Sequence, residues 1–226
     1  MRKLFVKYLI EFLVIVIGIS LSFYVDSYNE KKYKENLKNQ SLYRILQNIK
    51  FDIKDNLFNL NIHTGSLKSA NWLLRNKNNL AKFSRDSIGY HLSKAIDEIT
   101  YLVDNQEEYR TLQYSGYIEF IENEELVKNL QEKYTGHNFM KTIEEQIILR
   151  TYKLQDFQFE NSEITSDSIK GVYSFERRYT GQLNFPNGII DRIAEKGSFH
   201  RYYIGQTNER LKKDSLIIQQ IEKEIY

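Results

Sequence analysis

Residues Leu4 to Val25 form a nearly unbroken apolar run at the start of the chain, interrupted by Lys7 and, inside the run, by the carboxylate of Glu11. As an α-helix the stretch from Tyr8 to Val25 extends roughly 27 Å at a rise of about 1.5 Å per residue, close to the hydrocarbon thickness of a bilayer. No second run of this kind follows in the sequence. The chain therefore divides into one span, residues 1–26, and a body, residues 27–226. The body is long enough for one unit with its own core and too short for two full domains.

Two readings fit the N-terminus. Met1-Arg2-Lys3 supplies the basic start of either a cleaved signal or an uncleaved signal anchor. Ser20-Leu21-Ser22 offers only a weak cleavage site, and the apolar run passes straight into a charged helical pattern at Asp26 and Glu30, which favours the anchor. A short basic N-terminus before a first span stays in the cytoplasm, so the expected topology is a single-pass inner-membrane protein with its body in the periplasm. Lys31, Lys32 and Lys34 on the far side of the span weaken that asymmetry.

Within the span, Glu11, Ile15, Gly18, Ser22, Val25 and Asn29 follow at steps of four and three and share one helix face. Leu13, Val16, Ile17, Leu21 and Tyr24 line the other side, suited to lipid. Gly18 and Ser22 form a pair of small residues that lets a second helix approach closely. Glu11, Ile15, Gly18, Ser22 and Asn29 thus define a candidate interaction face, whose partner besides lipid is a second copy or another membrane protein. Glu11 has two readings: turned toward that partner, or paired with Lys7 one turn earlier.

The chain holds one proline among its 226 residues, which favours long helices. The expected fold is mainly α, an elongated extracytoplasmic bundle continuing the span. A stripe of Leu42, Leu46, Ile49, Ile53, Leu57 and Leu60 predicts a helix from 27 to about 62 that needs a partner. A turn is expected at His63-Thr64-Gly65-Ser66, then a short helix carrying Leu67, Ala70, Leu73 and Leu74. Ser84 reads as an N-cap, with Phe83 and Ile88 as its hydrophobic staple. Gly116 marks a helix end and Asn123 a helix start, the latter helix running to about Phe157 with a bend at Gly136. Residues 160–188, with Gly171, Gly181, Pro186 and Gly188, read as a short irregular or hairpin segment. A short helix to Glu195 and a closing helix from Ser198 to Tyr226 complete the pattern.

A formal net charge of +2 gives no field for nucleic acid, and the absence of cysteine removes disulfides and thiolate chemistry. His63, His91, His137 and His200 lack metal-ligand spacing. Neither a serine elbow nor a phosphate loop occurs, and pairs such as Glu124-Glu125 and Glu144-Glu145 read as solvated helix faces or as partners of a helix N-terminal dipole. No enzyme, cofactor or metal is expected. Arg177, Arg178, Tyr179, His200 and Arg201, among Tyr173, Phe175, Phe199, Tyr202 and Tyr203, form a basic-aromatic cluster. It reads either as a grip for an anionic ligand or partner peptide, or as packing at the end of the bundle.

The run Lys7-Tyr8-Leu9-Ile10-Glu11-Phe12 through Gly18 to Ser22, followed by Asn29-Glu30, is similar to the N-terminal signature of a family of uncharacterised single-span membrane proteins common in Bacteroidota. Thr111-Leu112-Gln113-Tyr114-Ser115-Gly116, continuing through Ile121, Asn123 and Leu126, resembles that family's second motif. Ile10 and Tyr28 stand where the family usually has glycine and tryptophan. The resemblance implies an uncleaved anchor and a helical extracytoplasmic body, and brings no activity. The expected role is a non-enzymatic interaction or assembly module, the alternative a ligand-sensing module working with a partner membrane protein.

Overall fold

A computed structural model describes residues 2–103, 105–169 and 175–226. The chain is mainly α, with helices α1 (Arg2–Asn76), α2 (Arg85–Asp97), α3 (Glu107–Tyr114), α4 (Glu124–Asn161) and α5 (Asn187–Ile225) and one hairpin of β1 (Ser162–Ile169) and β2 (Phe175–Tyr179). The hairpin falls within the segment read as irregular; Gly171 and Tyr173 lie outside the described residues. With 75 residues, α1 is roughly 110 Å long at about 1.5 Å per residue. Its N-terminal part is long and apolar enough to cross a membrane, and no part of the body covers it.

Cross-contacts fix the direction of each helix. Along α1 and α5 the pairs run Lys38 with Glu224 and His63 with His200, so the two are antiparallel. Lys133 with Asp214 and Arg150 with Glu195 make α4 antiparallel to α5. His91 with Ser69 and Glu108 with Arg44 lay α2 and then α3 back down α1. The result is an up-down-up-down four-helix arrangement whose second position is split between α2 and α3, with residues 98–103 leaving α2 outside any helix.

Local signals act where the sequence places them. The Ser84 side chain accepts from the Ser87 N–H at 3.1 Å, and Phe83 packs in the same cluster as buried Ile88. Gly116 adopts a φ of 75°, the left-handed conformation that favours glycine after α3. Asn123 accepts from the Leu126 N–H at 3.1 Å, with Glu124 and Glu125 in the first turn of α4. Strands β1 and β2 pair antiparallel, with Ser162 opposite Tyr179.

Two expectations need correction. No turn occurs at His63–Ser66, and the two C-terminal helices are one, α5; α4 runs through Gly136, as expected of a helix continuing past it. The stripe of α1 also differs: Leu42, Leu46 and Ile49 are buried, whereas Leu57 is 52% exposed. The buried positions instead step three and four without interruption through Leu42, Ile45, Ile49, Asp52, Asn56, Asn59, His63, Ser66, Ala70 and Leu73, none above 2% exposed. On α4 the same steps join Leu126, Leu130, Lys133, His137, Met140, Glu144, Ile147, Thr151, Leu154 and Gln158, all buried. On α5 they join Ile193, Lys196, His200, Tyr203 and Thr207, and resume at Asp214, Ile217 and Ile221. A spacing averaging 3.5 keeps one seam of each helix facing its neighbours over many turns, which carries the helices through the places where glycine or polar residues read as breaks.

The core is layered along these seams. Near the span, Leu42, Ile45 and Ile49 pack with Leu112, Leu126, Leu130, Ile217 and Ile221. At the far end Ala70 and Leu73 pack with Leu80, Ile88, Leu92, Leu154 and Tyr179. Between them the seams are mostly polar.

Candidate functional site

The span face is laid out along one side of α1, free of contact with the body. Lys7 Nζ lies 3.9 Å from a Glu11 carboxylate oxygen, so the carboxylate has its counter-ion in the same helix. A methyl group placed on Gly18 would meet nothing within 4 Å, leaving the Gly18–Ser22 surface open to another helix.

The basic-aromatic residues do not assemble into one grip. Arg177 is buried, its Nε 4.0 Å from Asp97 and its guanidinium donating to Ser162 Oγ. Arg178 faces outward, 3.9 Å from Asp86. Tyr179 is buried against Phe185 and donates its hydroxyl to the Gln182 carbonyl at 2.7 Å. These three dock the hairpin on α2, where Gly89 admits it: a Cβ there would collide with the Arg177 carbonyl. His200 is fully buried on the α5 seam, while Arg201 beside it is exposed.

What converges instead is a polar middle in the bundle. Lys133 Nζ sits 3.0 Å from Asp52 and 2.9 Å from Asp214, one cation between two carboxylates, all three nearly inaccessible to solvent. One turn further along, Asn56 and Thr207 are fully buried with no protein hydrogen-bond partner among the described residues. Buried amides and hydroxyls in that state are where internal water binds.

Residues 98–103 lie outside any helix, and side chains of α1 and α4 take up backbone groups that a helix would pair internally. Leu102 N–H donates to Glu144 at 2.6 Å and Val103 N–H to Asp55 at 3.3 Å. The Asn59 amide donates to Asp55 at 3.0 Å and to the Tyr101 carbonyl at 3.3 Å. Tyr203 adds its hydroxyl to Glu144 at 3.1 Å. Burial pushes the Glu144 carboxyl up to about 7; the Leu102 N–H, the Tyr203 hydroxyl and Lys141 pull it back, and the Asp55 charge adds to the rise.

Beyond this clamp the His63 and His200 Nδ1 atoms are 2.8 Å apart, so one ring donates and the other accepts through an unprotonated nitrogen. His63 Nε2 meets Thr100 Oγ1 at 2.9 Å, and His200 Nε2 meets Ser66 Oγ at 3.0 Å. The His63 ring stacks on Tyr203 with centroids 3.9 Å apart. Burial pushes His63 down to about 3 and His200 well below its ordinary value, and the Lys196 charge acts the same way. Lys196 Nζ donates to the Ala95 carbonyl at 3.0 Å and to the Ile96 carbonyl, closing the C-terminal end of α2. Burial pushes Lys196 down to about 7, against the opposing pull of Asp97 and Glu98.

Sequence reasoning missed this layer because it followed hydrophobicity rather than spacing. The signal was present: Asp52, Asn56, Asn59, His63 and Ser66 keep the three-four rhythm of the leucines before them. Among the described residues no group of three or more His, Asp or Glu side chains is arranged to hold a metal. The fold and this interior define a helical bundle with a membrane-span-like extension and a polar mid-section. No protein-family model matches the chain, and neither does any curated protein or solved structure.

Proposed function

We propose that the chain is a single-span protein of the inner membrane, N-terminus in the cytoplasm and bundle in the periplasm, working without catalysis as an interaction or assembly module. The carrying observation is the continuity of α1 from Arg2 to Asn76, from apolar span to the central seam of the bundle. A helix of that kind ties whatever meets the span to the orientation of the body. An uncovered apolar surface running from Phe5 to Val25 is too large to stay in water, which supports lipid or another span as its cover. The face of Glu11, Ile15, Gly18, Ser22 and Asn29 supports a second copy as partner.

The chain has no cysteine, so single-cysteine variants report without background. In native membranes Gly18→Cys should form a disulfide-linked dimer on oxidation, while Leu13→Cys on the lipid side should not. Recovery of the full chain in the soluble fraction would overturn the anchor. Equal crosslinking at both positions, or none, would overturn the face.

A further inference from the structure

The span face does not end where the span does. From Glu11 to Asn29 it steps by four and three, and the same steps continue into Tyr33, Asn36, Gln40, Tyr43 and Gln47. That carries the line through the neck, residues 26–37, and past the foot of the bundle at Lys38, where Glu224 meets α1. Asn29 and all five added residues are exposed. We propose that this line is the contact between two parallel copies of the chain, with α1 lying along α1 of the second copy from the span to Gln47. The proposal rests on the reading of the span face as a self-association surface and extends that surface into the body.

The first support is phase. Ten steps cover the 36 positions from Glu11 to Gln47, a mean equal to the period of an undistorted α-helix, so the line keeps one direction and two straight helices can follow it without supercoiling. At about 100° per residue every residue on it lies roughly 100–180° from Leu42. The buried seam of Lys38, Leu42, Ile45 and Ile49 is on the opposite side of α1, which leaves the line uncovered by the bundle.

The second support is chemistry that complements itself. Between Asn29 and Gln47, seven of nineteen residues are charged, yet none of the seven falls on the line. Its next charge comes at Lys54, one turn beyond Phe51. A two-fold contact sets one surface against its own copy, where like charges repel. Carboxamides escape that conflict: Asn29, Asn36, Gln40 and Gln47 each donate and accept, so each can bond its counterpart. Tyr33, 63% exposed, and Tyr43, 49% exposed, add rings for burial in the same contact. Glu11, the one charge on the line, carries Lys7 with it at 3.9 Å.

The third support is the charge on the two edges. In the neck Lys31 pairs with Glu35 and Lys34 with Glu30 inside the helix, whereas Asp26 and Lys32 have no ion pair among the described residues. On the same scale Asp26 lies at roughly 200° and Lys32 at roughly 80°, one on each edge of the line. Both copies cross the membrane in the same sense, so the pair is parallel and opposite edges meet. Asp26 of each copy then lies along Lys32 of the other, the edge pairing that fixes orientation in parallel helix pairs.

The test uses single-cysteine variants of the full chain in native membranes, read as the disulfide-linked fraction on oxidation. Asn29→Cys, Asn36→Cys and Tyr43→Cys should crosslink about as well as Gly18→Cys, and Lys31→Cys, on the bundle side of the neck, several-fold less. Crosslinking at Gly18 with none at Asn36 and Tyr43, or as much at Lys31 as at Asn36, would overturn the proposal and leave the span face standing. Crosslinking at no position would overturn both. A second arm keeps Gly18→Cys as reporter. Asn36→Glu sets like charges across the two-fold and should lower the linked fraction several-fold, while Asn36→Gln, which keeps the carboxamide, should not. Thermal unfolding should be the same in both, since Asn36 is exposed. Equal linked fractions from the two substitutions would overturn the neck contact.

Discussion

At the scale of single residues, the polar middle ties stability to pH through groups that shift in opposite directions. An unfolded chain takes up protons on His63 and His200 below about pH 6.5, whereas folded His63 refuses its proton down to about 3 and burial holds His200 well below its ordinary value. Each histidine therefore contributes stability above its unfolded value and loses it as pH falls, by up to about 1.4 kcal/mol per pH unit. Glu144 runs the other way: folded, it keeps its proton up to about 7 instead of 4.5, so its contribution is present below 4.5 and lost as pH rises to 7. Lys196, held at about 7 instead of 10.5, contributes above 10.5 and loses that as pH falls to 7; it has no further effect in acid. Two histidines outweigh one carboxyl between pH 6.5 and 4.5. Urea midpoints of the full chain in micelles should rise from pH 7 to 9 and fall from pH 6.5 to 5. Glu144→Gln keeps an oxygen to accept from Leu102 and Tyr203 but cannot ionise. It should gain on the order of 1 kcal/mol at pH 8 and steepen the acid loss. A midpoint that rises on acidification in the wild-type chain would contradict these assignments.

At the scale of elements, the three-four rhythm decides which residues are buried, and polarity does not interrupt it. That rhythm makes the ion triad a register device. Lys133 meets both Asp52 and Asp214 only when α1, α4 and α5 are aligned as they are, and a slip by one heptad would strand a charge in the core. Lys133→Met should destabilise the bundle by roughly 3–5 kcal/mol, because two carboxylates are left uncompensated. Asp52→Leu, Lys133→Met and Asp214→Leu together should restore stability to near or above the wild-type level, read from chemical unfolding. A triple variant less stable than Lys133→Met alone would contradict the pairing.

The same rhythm explains what the sequence made legible. Ser84, Gly116 and Asn123 act within a few residues, and their signals could be read directly; so could the long apolar N-terminal helix and the mainly helical class. Gly65 misleads because local propensity amounts to about 1 kcal/mol per glycine, less than the packing of a long seam. The polar layer stayed hidden since Asp52, Asn56 and His63 acquire meaning only from Lys133, Thr207 and His200, which lie far away in sequence. Gly65 gives a direct check. In a turn, alanine there would destabilise; within continuous α1, where a Cβ meets nothing within 4 Å, Gly65→Ala should raise stability by about 0.5–1 kcal/mol.

At the scale of the whole molecule, the phase of α1 relates the span face to the bundle. The seam enters the bundle at Leu42, buried among α3, α4 and α5 side chains. Counting back along a straight helix at about 100° per residue, Gly18 lies roughly 120° and Ser22 roughly 160° from that direction. The span face thus points away from the bundle, and two copies meeting through it would carry their bundles on the outside. Two alanines inserted after Lys32, in the exposed stretch before the bundle, turn the span by about 200° and bring its face round to the bundle side. Dimers through Gly18 would then drive the two bodies into the same space. Seven alanines inserted at the same point return the face to within about 20° of its original direction. With Gly18→Cys as reporter in native membranes, the two-residue insertion should lower the disulfide-linked fraction several-fold, and the seven-residue insertion should restore it. Equal yields from both insertions would show that span and body turn independently, and α1 would then be a tether rather than a shaft.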